Sequence, residues 1–263
     1  QPEAYIPQTD TYIEKDAQIN EQIDKLRHAA TQAVLTRPDT IIVASVSCIY
    51  NIGDPNEYQK IAVELKTGLA MTRRDLAGRL ALMQFHRNNV AADAGTFCFK
   101  GETVEITLPT GETTIRVYFD GSRIEKIQHS LKGALDAFTL FPAKHFITEE
   151  AKLKIALANI ETELKERLKT LRHEQKILEA ARLEQRTQYD LEMLAEAGYC
   201  SGIENYSRHL SFREPNSPPF SLIDFMPKDF LMIVDESHMS LPQIKGMHNG
   251  DRARKETLVE HGF

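Results

Sequence analysis

Cysteine is scarce in this sequence: Cys48, Cys98 and Cys200 lie far apart and in no metal-ligand spacing. An odd number so placed excludes a disulfide framework, and buried free thiols in a reducing cytoplasm are the expectation. Long apolar runs are missing as well. Nothing approaches the roughly 18–20 residues a membrane helix needs, and the longest run, residues 41–50, is broken by serines. The opening Gln1-Pro2-Glu3-Ala4-Tyr5 has neither the basic region nor the apolar core of a signal peptide, so a cytoplasmic protein with no membrane partner is expected. Positive charge is not in excess. Lys and Arg number 32 against 38 Asp and Glu, a formal net charge of −6. That argues against a nucleic-acid binder relying on overall charge and leaves a local basic groove open. Internal repeats and low-complexity tracts are absent.

What is present suffices for one large domain or two small ones: 263 residues, 41% hydrophobic and 27% charged. The first residue is Gln1, not Met, and Phe263 follows a helical pattern directly, so a piece cut from a longer protein is expected. Residues 1–15 alternate loosely around Tyr5, Tyr12 and Ile13, which suits extended chain. Asp16 can cap a helix with Ile19, Ile23, Leu26 and Ala30 on one face, ended by Arg37-Pro38-Asp39. Ile41-Ile42-Val43-Ala44-Ser45-Val46 then reads as a buried strand, and Asn51-Ile52-Gly53-Asp54-Pro55 as a turn. Helix followed by continuous apolar strand predicts an α/β core with a parallel sheet.

Over residues 56–146 the character changes. Val104-Glu105-Ile106-Thr107-Leu108 and Thr114-Ile115-Arg116-Val117-Tyr118-Phe119 read as strands joined by a turn at Pro109-Thr110-Gly111-Glu112. An inserted α+β domain with an antiparallel sheet is expected. Residues 148–198 are helical, with Thr148 as cap. Leu153, Leu157, Ile160, Leu164, Leu168 and Leu171 form an apolar stripe, read as a packing face. A coiled-coil spacer is the alternative, weakened at Gln175 and Ala180-Ala181. Gly198, Gly202, Pro215, Pro218 and Pro219 mark an irregular segment. Phe230-Leu231-Met232-Ile233-Val234 reads as a second buried strand running into Asp235-Glu236-Ser237-His238.

That junction carries the chemistry. Parallel strands deliver their last residues to the ligand-binding edge of the sheet. There Asp235 would hold Mg²⁺ through water, and Glu236 would orient and deprotonate an attacking water. His238 would relay the nucleotide state. Asp-Glu after an apolar run is by itself more readily a solvated turn, but the full Asp-Glu-Ser-His tetrad matches a helicase motif. The phosphate-cradling G-x-x-x-x-G-K-[ST] loop is absent, and the span from Gly95 to Gly101 has neither its spacing nor a following Lys. ATP and Mg²⁺ are therefore expected in a complete protein, with no tight cofactor binding and no ATP hydrolysis by this chain alone.

Several peptides occur together and in order. They are Gln1-Pro2-Glu3-Ala4-Tyr5, Thr9-Asp10-Thr11-Tyr12-Ile13-Glu14-Lys15-Asp16, Asp24-Lys25-Leu26-Arg27-His28, Ala44-Ser45-Val46-Ser47-Cys48-Ile49-Tyr50, and Cys200-Ser201-Gly202-Ile203-Glu204-Asn205-Tyr206-Ser207-Arg208-His209. Val234-Asp235-Glu236-Ser237-His238 and Asn249-Gly250-Asp251-Arg252-Ala253-Arg254-Lys255 complete them. With these the chain resembles the UvrB family over essentially its whole length. The resemblance implies part of a helicase-type (RecA-like) motor domain with a parallel sheet, an inserted UvrA-binding α+β domain and a helical DNA-binding subdomain. It implies residues 1–16 as part of a DNA-clamping β-hairpin, 17–55 and 220–263 as portions of the first motor domain, 56–146 as the insert and 147–219 as the helical subdomain along the DNA path. The implied role is ATP-dependent damage verification in nucleotide excision repair. The partners would be damaged double-stranded DNA, UvrA and, in the complete protein, UvrC. The alternative is a DNA- and UvrA-binding module with no chemistry of its own.

Carried over residue by residue, the resemblance puts Glu3, Tyr5, Tyr12 and Lys15 on the clamp, where aromatic faces stack on bases without sequence preference. Read without it, Tyr5 and Tyr12 are packing residues. Lys15 meets a phosphate or locks onto a carboxylate. Arg27 is a phosphate contact or a helix-surface ion-pair partner. Arg186 and Glu204 match positions near the DNA path, Glu204 positioning basic neighbours. Arg87 and Lys100 match positions that face an acidic UvrA surface. Where the family usually has Arg-Val-Arg, this chain has Cys98-Phe99-Lys100, losing the bidentate guanidinium fork. Asn51 stands where the family turn has Gly, and Asn tolerates the left-handed backbone such a turn requires.

Overall fold

Apolar and polar residues alternate most regularly between residues 103 and 129, and there the chain folds back on itself strand by strand. The computed structural model describes residues 3–13, 21–50, 52–111 and 113–263. Lys15, Asp16, Ile19 and Asn51 lie outside the described residues. In chain order the elements are β1 (Ala4–Ile6), β2 (Thr11–Ile13), α1 (Glu21–Thr36), α2 (Pro55–Ile61), β3 (Val63–Lys66), α3 (Arg73–Leu82), β4 (His86–Arg87), β5 (Thr96–Lys100), β6 (Thr103–Thr107), β7 (Thr114–Asp120), β8 (Arg123–His129), β9 (Gly133–Leu135) and β10 (Ala137–Leu140). The helices α4 (Glu150–His173), α5 (Ile177–Ala197), α6 (Ser207–Leu210) and α7 (Ser237–Glu260) follow. They divide into two units. One holds residues 20–149 and 218–227, the other 1–19, 150–217 and 228–263.

The first unit is built on a six-stranded sheet in the order β4-β5-β6-β7-β8-β9, antiparallel except for the β4–β5 pair. The alternation decides which face is buried. Ile115, Val117 and Phe119 of β7 point inward while Arg116 stays exposed, as a period of two requires. Val104 and Ile106 lie opposite Val117 and Ile115, and Leu76 and Leu80 of α3 pack against them. Thr72 starts α3 by accepting a hydrogen bond from the Asp75 backbone N–H, while the Asp75 carboxylate accepts from the Thr72 N–H and hydroxyl. These bonds, the hydroxyl's first, hold the Asp75 carboxyl below its ordinary pKa and satisfy donors that a helix start leaves open. The turn between β6 and β7 runs through Gly111 at φ +91°, a backbone conformation that glycine adopts without strain.

A second cluster in this unit joins Ile52, Tyr58, Phe141, Leu222 and Phe225. Gly53 enters it so closely that a Cβ would stand 2.2 Å from the His145 carbonyl oxygen, so no larger residue fits. Here the expected pattern fails in two ways. On α1, Ile23 and Leu26 are exposed, while His28 and Thr31 are buried. The helix turns its polar face inward because Tyr58 and His145 offer hydrogen-bonding partners there. Residues 41–45 form no strand, and Ile41 and Val43 are 92% and 97% exposed. A strand needs neighbours for its N–H and C=O groups, and this run has no ladder partner among the described residues.

The other unit begins with the β1–β2 hairpin, in which Tyr5 faces Tyr12 and Asp10 turns the chain with a left-handed backbone. The apolar stripe of α4 is a packing face. Leu164, Leu168 and Leu171 close on Ala180 and Leu183 of α5. The chain doubles back at Gln175, at φ +59°, so α4 and α5 form a hairpin and no continuous spacer. Residues 230–234 also form no strand, and Leu231 and Ile233 are 85% and 82% exposed. Among the described residues the only parallel pairing is β4 with β5, so the fold is a mixed α/β arrangement with a largely antiparallel sheet and a helical part.

Replacing Ile115 by Ala removes a fully buried side chain from the centre of the sheet core. The loss expected is about 2–5 kcal/mol, read as a lower urea midpoint at unchanged slope.

Candidate nucleic-acid interface

Opposite positions of a two-residue-period hairpin share a face, so β1 and β2 carry Tyr5 and Tyr12 side by side. Each hydroxyl is held by a carboxylate of the same hairpin: Tyr5 donates to Asp10 at 2.7 Å, and Tyr12 donates to Glu3 at 2.8 Å. The helix α5 supplies the counter-charge. Arg182 and Arg186 stand four residues apart, on one helical face. Arg182 reaches Asp10 at 3.0 Å and Arg186 reaches Glu3 at 3.2 Å. A third guanidinium, that of Arg254 on α7, donates to the Glu3 carbonyl.

The rings are held by the C-terminal residues of the unit. Tyr12 stacks on Phe263 with centroids 4.5 Å apart and planes 2° from parallel. Tyr5 lies 4.8 Å from His261 and 4.9 Å from Phe263. The Arg182 guanidinium sits 5.0 Å above the Phe263 ring, a favourable cation–π distance. The charges are tuned in step. Tyr5 and then Arg182 hydrogen-bond to the Asp10 carboxylate and lower its pKa, while the same Asp10 raises that of Tyr5. Burial works against the Arg186 cation, but Glu3 and Tyr12 outweigh it and its pKa rises.

Beneath Arg186 the surroundings become drier. Tyr206 donates to the buried Asp190 at 2.7 Å. Burial, with Asp190 and Glu204 adding to it, pushes the Cys200 thiol up to about 12. Glu204 thus shares the neighbourhood of Arg186, on the short turn Ile203–Tyr206.

The structure therefore brings Glu3, Tyr5, Tyr12 and Arg186 together, with Glu204 close by. Arg27 lies on α1 of the other unit, partly buried. Arg87 and Lys100 occupy the neighbouring strands β4 and β5. The Arg87 guanidinium lies 4.9 Å over the Phe99 ring, and Lys100 shares the Glu105 carboxylate with Arg116, each at 2.8 Å. Cys98 lies on the same strand as Lys100, half-buried and in no disulfide. Lys15 is outside the described residues.

The residues that sequence reading missed are Asp10, Arg182, Arg254, His261 and Phe263. Arg182 carried a usable signal, its four-residue spacing from Arg186. Phe263 carried none, since its partners lie at the other end of the sequence.

Asp235, Glu236 and His238 stand at the start of α7, where Glu236 caps the helix with a left-handed backbone. Their surroundings are solvent: His238 and Glu236 approach to 3.4 Å with side chains 74% and 70% exposed. Asp235 accepts a bond from the Glu236 N–H at 3.1 Å. Two adjacent carboxylates suit Mg²⁺ as donors. Among the described residues the run before them is not paired into a sheet.

Comparison with known proteins sets these features in context. A family model for the UvrB interaction domain matches residues 63–146, and one for the UvrB third helical domain matches residues 151–212. Curated relatives align over the whole chain. The UvrABC system protein B of Geobacillus kaustophilus is 56% identical over 270 residues, that of Bacillus caldotenax 56% and that of Bacillus licheniformis 54%. The chain spans 41% of the length of each.

Arg186→Ala leaves the largely buried Glu3 carboxylate without its cation. Losing one partner of a charged hydrogen bond costs roughly 1–3 kcal/mol. Amide exchange at Tyr5 and Tyr12 is expected to speed up about tenfold or more, and exchange rates equal to those of the unaltered chain would separate the hairpin from the arginine.

Proposed function

The chain belongs to the UvrB family, and from that premise we propose that it carries DNA-gripping and partner-docking parts of a damage-verifying protein of nucleotide excision repair. The observation that carries the reading is the hairpin itself. Two tyrosine rings share one face, with a row of guanidiniums from α5 and α7 directly behind them. Aromatic faces accept bases of any sequence, and guanidiniums accept phosphate. Such a surface grips a strand by its geometry, as verification of varied lesions requires. In this reading residues 1–16 belong to the clamp and 147–219 to the helical subdomain along the DNA, with Arg27 as a further phosphate contact.

Residues 17–55 and 220–263 are assigned to the first RecA-like motor domain. The exposed apolar runs 41–43 and 230–234 support this. They have the composition of central parallel strands and lack only neighbours to pair with. Asp235, Glu236 and His238 would then serve ATP hydrolysis with Mg²⁺ in the complete protein, once a sheet edge and a phosphate loop stand beside them. Within this chain the contribution is binding.

Residues 56–146 are assigned to UvrA, with UvrC recruitment left to the complete protein. Charge supports Arg87 over Lys100 as the main contact. The Lys100 cation already shares Glu105 with Arg116, whereas Arg87 has no carboxylate partner among the described residues and lies over the Phe99 ring.

Two measurements test the reading. Fluorescence anisotropy of a lesion-bearing duplex titrated with this chain is expected to show binding that weakens steeply with salt and falls about tenfold for Tyr5→Ala. Affinity indifferent to both salt and Tyr5 would overturn the clamp assignment. In titrations against UvrA, Arg87→Glu is expected to weaken binding tenfold or more and Lys100→Ala only a few-fold. Equal affinities for both variants and the unaltered chain would remove the insert's docking role.

A further inference from the structure

A group of ionisable residues in the sheet-containing unit takes no part in the surfaces described so far. Asp24 and His28 stand four residues apart on α1, hence on one helical face, and His145 approaches from the segment after β10. One nitrogen or oxygen ligand atom from each of the three lies within 4.8 Å of the other two. The two imidazole rings stack with centroids 3.9 Å apart. His28 is 0% exposed and His145 7%, so this is a built interior site.

Hydrogen bonding at Thr31 sets which nitrogen of His145 carries its proton. The Thr31 hydroxyl has one proton, and it points at the carbonyls of Arg27 and His28, at 3.0 and 3.1 Å. Thr31 therefore accepts from His145 Nε2, 3.2 Å away, and the His145 Nδ1 is left as a lone pair. The Tyr58 hydroxyl accepts from the Gln32 amide at 3.2 Å and lies 3.2 Å from His28 Nδ1 and 3.4 Å from the Pro142 carbonyl. His28 Nε2 is buried and without a hydrogen-bond partner. A buried ring nitrogen without a hydrogen-bond partner is a costly arrangement, and a cation bound to it resolves it. Hydroxyls that hold the far nitrogen of each ring are the partners that orient imidazole toward a metal.

We infer that Asp24, His28 and His145 form a binding site for a divalent transition-metal ion of the zinc type. Two imidazole nitrogens and one carboxylate oxygen are the donor set such an ion prefers, whereas Mg²⁺ and Ca²⁺ prefer oxygen throughout. Bonds of about 2.0–2.2 Å place tetrahedral donors roughly 3.3–3.6 Å apart, so the half-exposed Asp24 side chain closes the remaining gap by rotation. Burial, reinforced by the charge of Lys144 and opposed by the Ala143 carbonyl, pushes the His28 pKa down to about 3. Burial and the neighbouring His28 lower that of His145. Both rings are thus in the neutral, ligating form at physiological pH. Arg27 and Lys144 are the cationic groups facing the pair and Asp24 the anionic one, so the carboxylate is needed to admit a divalent ion. The ion would tie α1 to the segment after β10, beside the tight passage of Gly53.

The test uses the full 263-residue chain stripped with a chelator and titrated with Zn²⁺ or Mg²⁺ during thermal unfolding. Zn²⁺ at a hundredfold excess over its Kd is expected to raise Tm by about 4 °C or more, with Mg²⁺ inactive. Asp24→Asn keeps the size and loses the charge, and His145→Gln keeps a donor for Thr31. Each is expected to lose the Zn²⁺ shift. Since His145→Gln changes a buried position, the solvent-facing Asp24→Asn variant keeps the outcome readable if the former folds poorly. A Tm insensitive to Zn²⁺, or a shift of equal size in Asp24→Asn, overturns the proposal.

Discussion

Each β6 residue from Thr103 to Thr107 is matched with one of β7 between Tyr118 and Thr114, and most of the sheet unit depends on that register. It sends Val104, Ile106, Ile115 and Val117 to the side where Leu76 and Leu80 of α3 wait. It gathers Glu105, Arg116 and Lys100 into a charge cluster on the other side. A slip of one residue would exchange the two sets, setting Glu105 and Arg116 against the leucines and the isoleucines in water. Because β4 is paired to β5, the presentation of Arg87 follows from the same alignment.

What the sequence made legible was what local periodicity encodes. The alternation over Val104–Leu108 and Thr114–Phe119 gave the two strands and their turn, and the leucine spacing in α4 gave its buried stripe. The hairpin at Tyr5 and Tyr12 was readable as extended chain. Where a decision depended on distant partners, the pattern misled. Ile23 and Leu26 look like the inner face of α1, yet His28 and Thr31 occupy it because Tyr58 and His145 bond to them. Residues 41–46 and 230–234 have strand composition, but composition does not supply neighbours. At the interface, Tyr5, Tyr12, Glu3 and Arg186 were named from the family resemblance. Phe263 and Arg254 were not, because only folding brings them to the hairpin.

Charge at that interface is nearly self-satisfied. Asp10 and Glu3 already engage Arg182 and Arg186, and the tyrosine hydroxyls engage the same two carboxylates. A net charge of −6 is therefore compatible with the phosphate recognition proposed above, since that proposal calls on a few placed guanidiniums and rings. Any phosphate approaching them gains only the difference between its own bond and the carboxylate's, which favours a reversible grip over a permanent one.

The solvent-facing apolar runs have a consequence for how this chain behaves as a solute. Ile41, Val43, Leu231 and Ile233 each leave most of their surface in water, on backbone that joins no sheet among the described residues. Two such edges from different molecules satisfy each other as well as two from one molecule would. Self-association then scales with concentration, and excluded cosolutes such as sulfate or sucrose deepen it by strengthening apolar burial. Dilution and mild ionic conditions become structural variables for this molecule, as much as temperature is for its core.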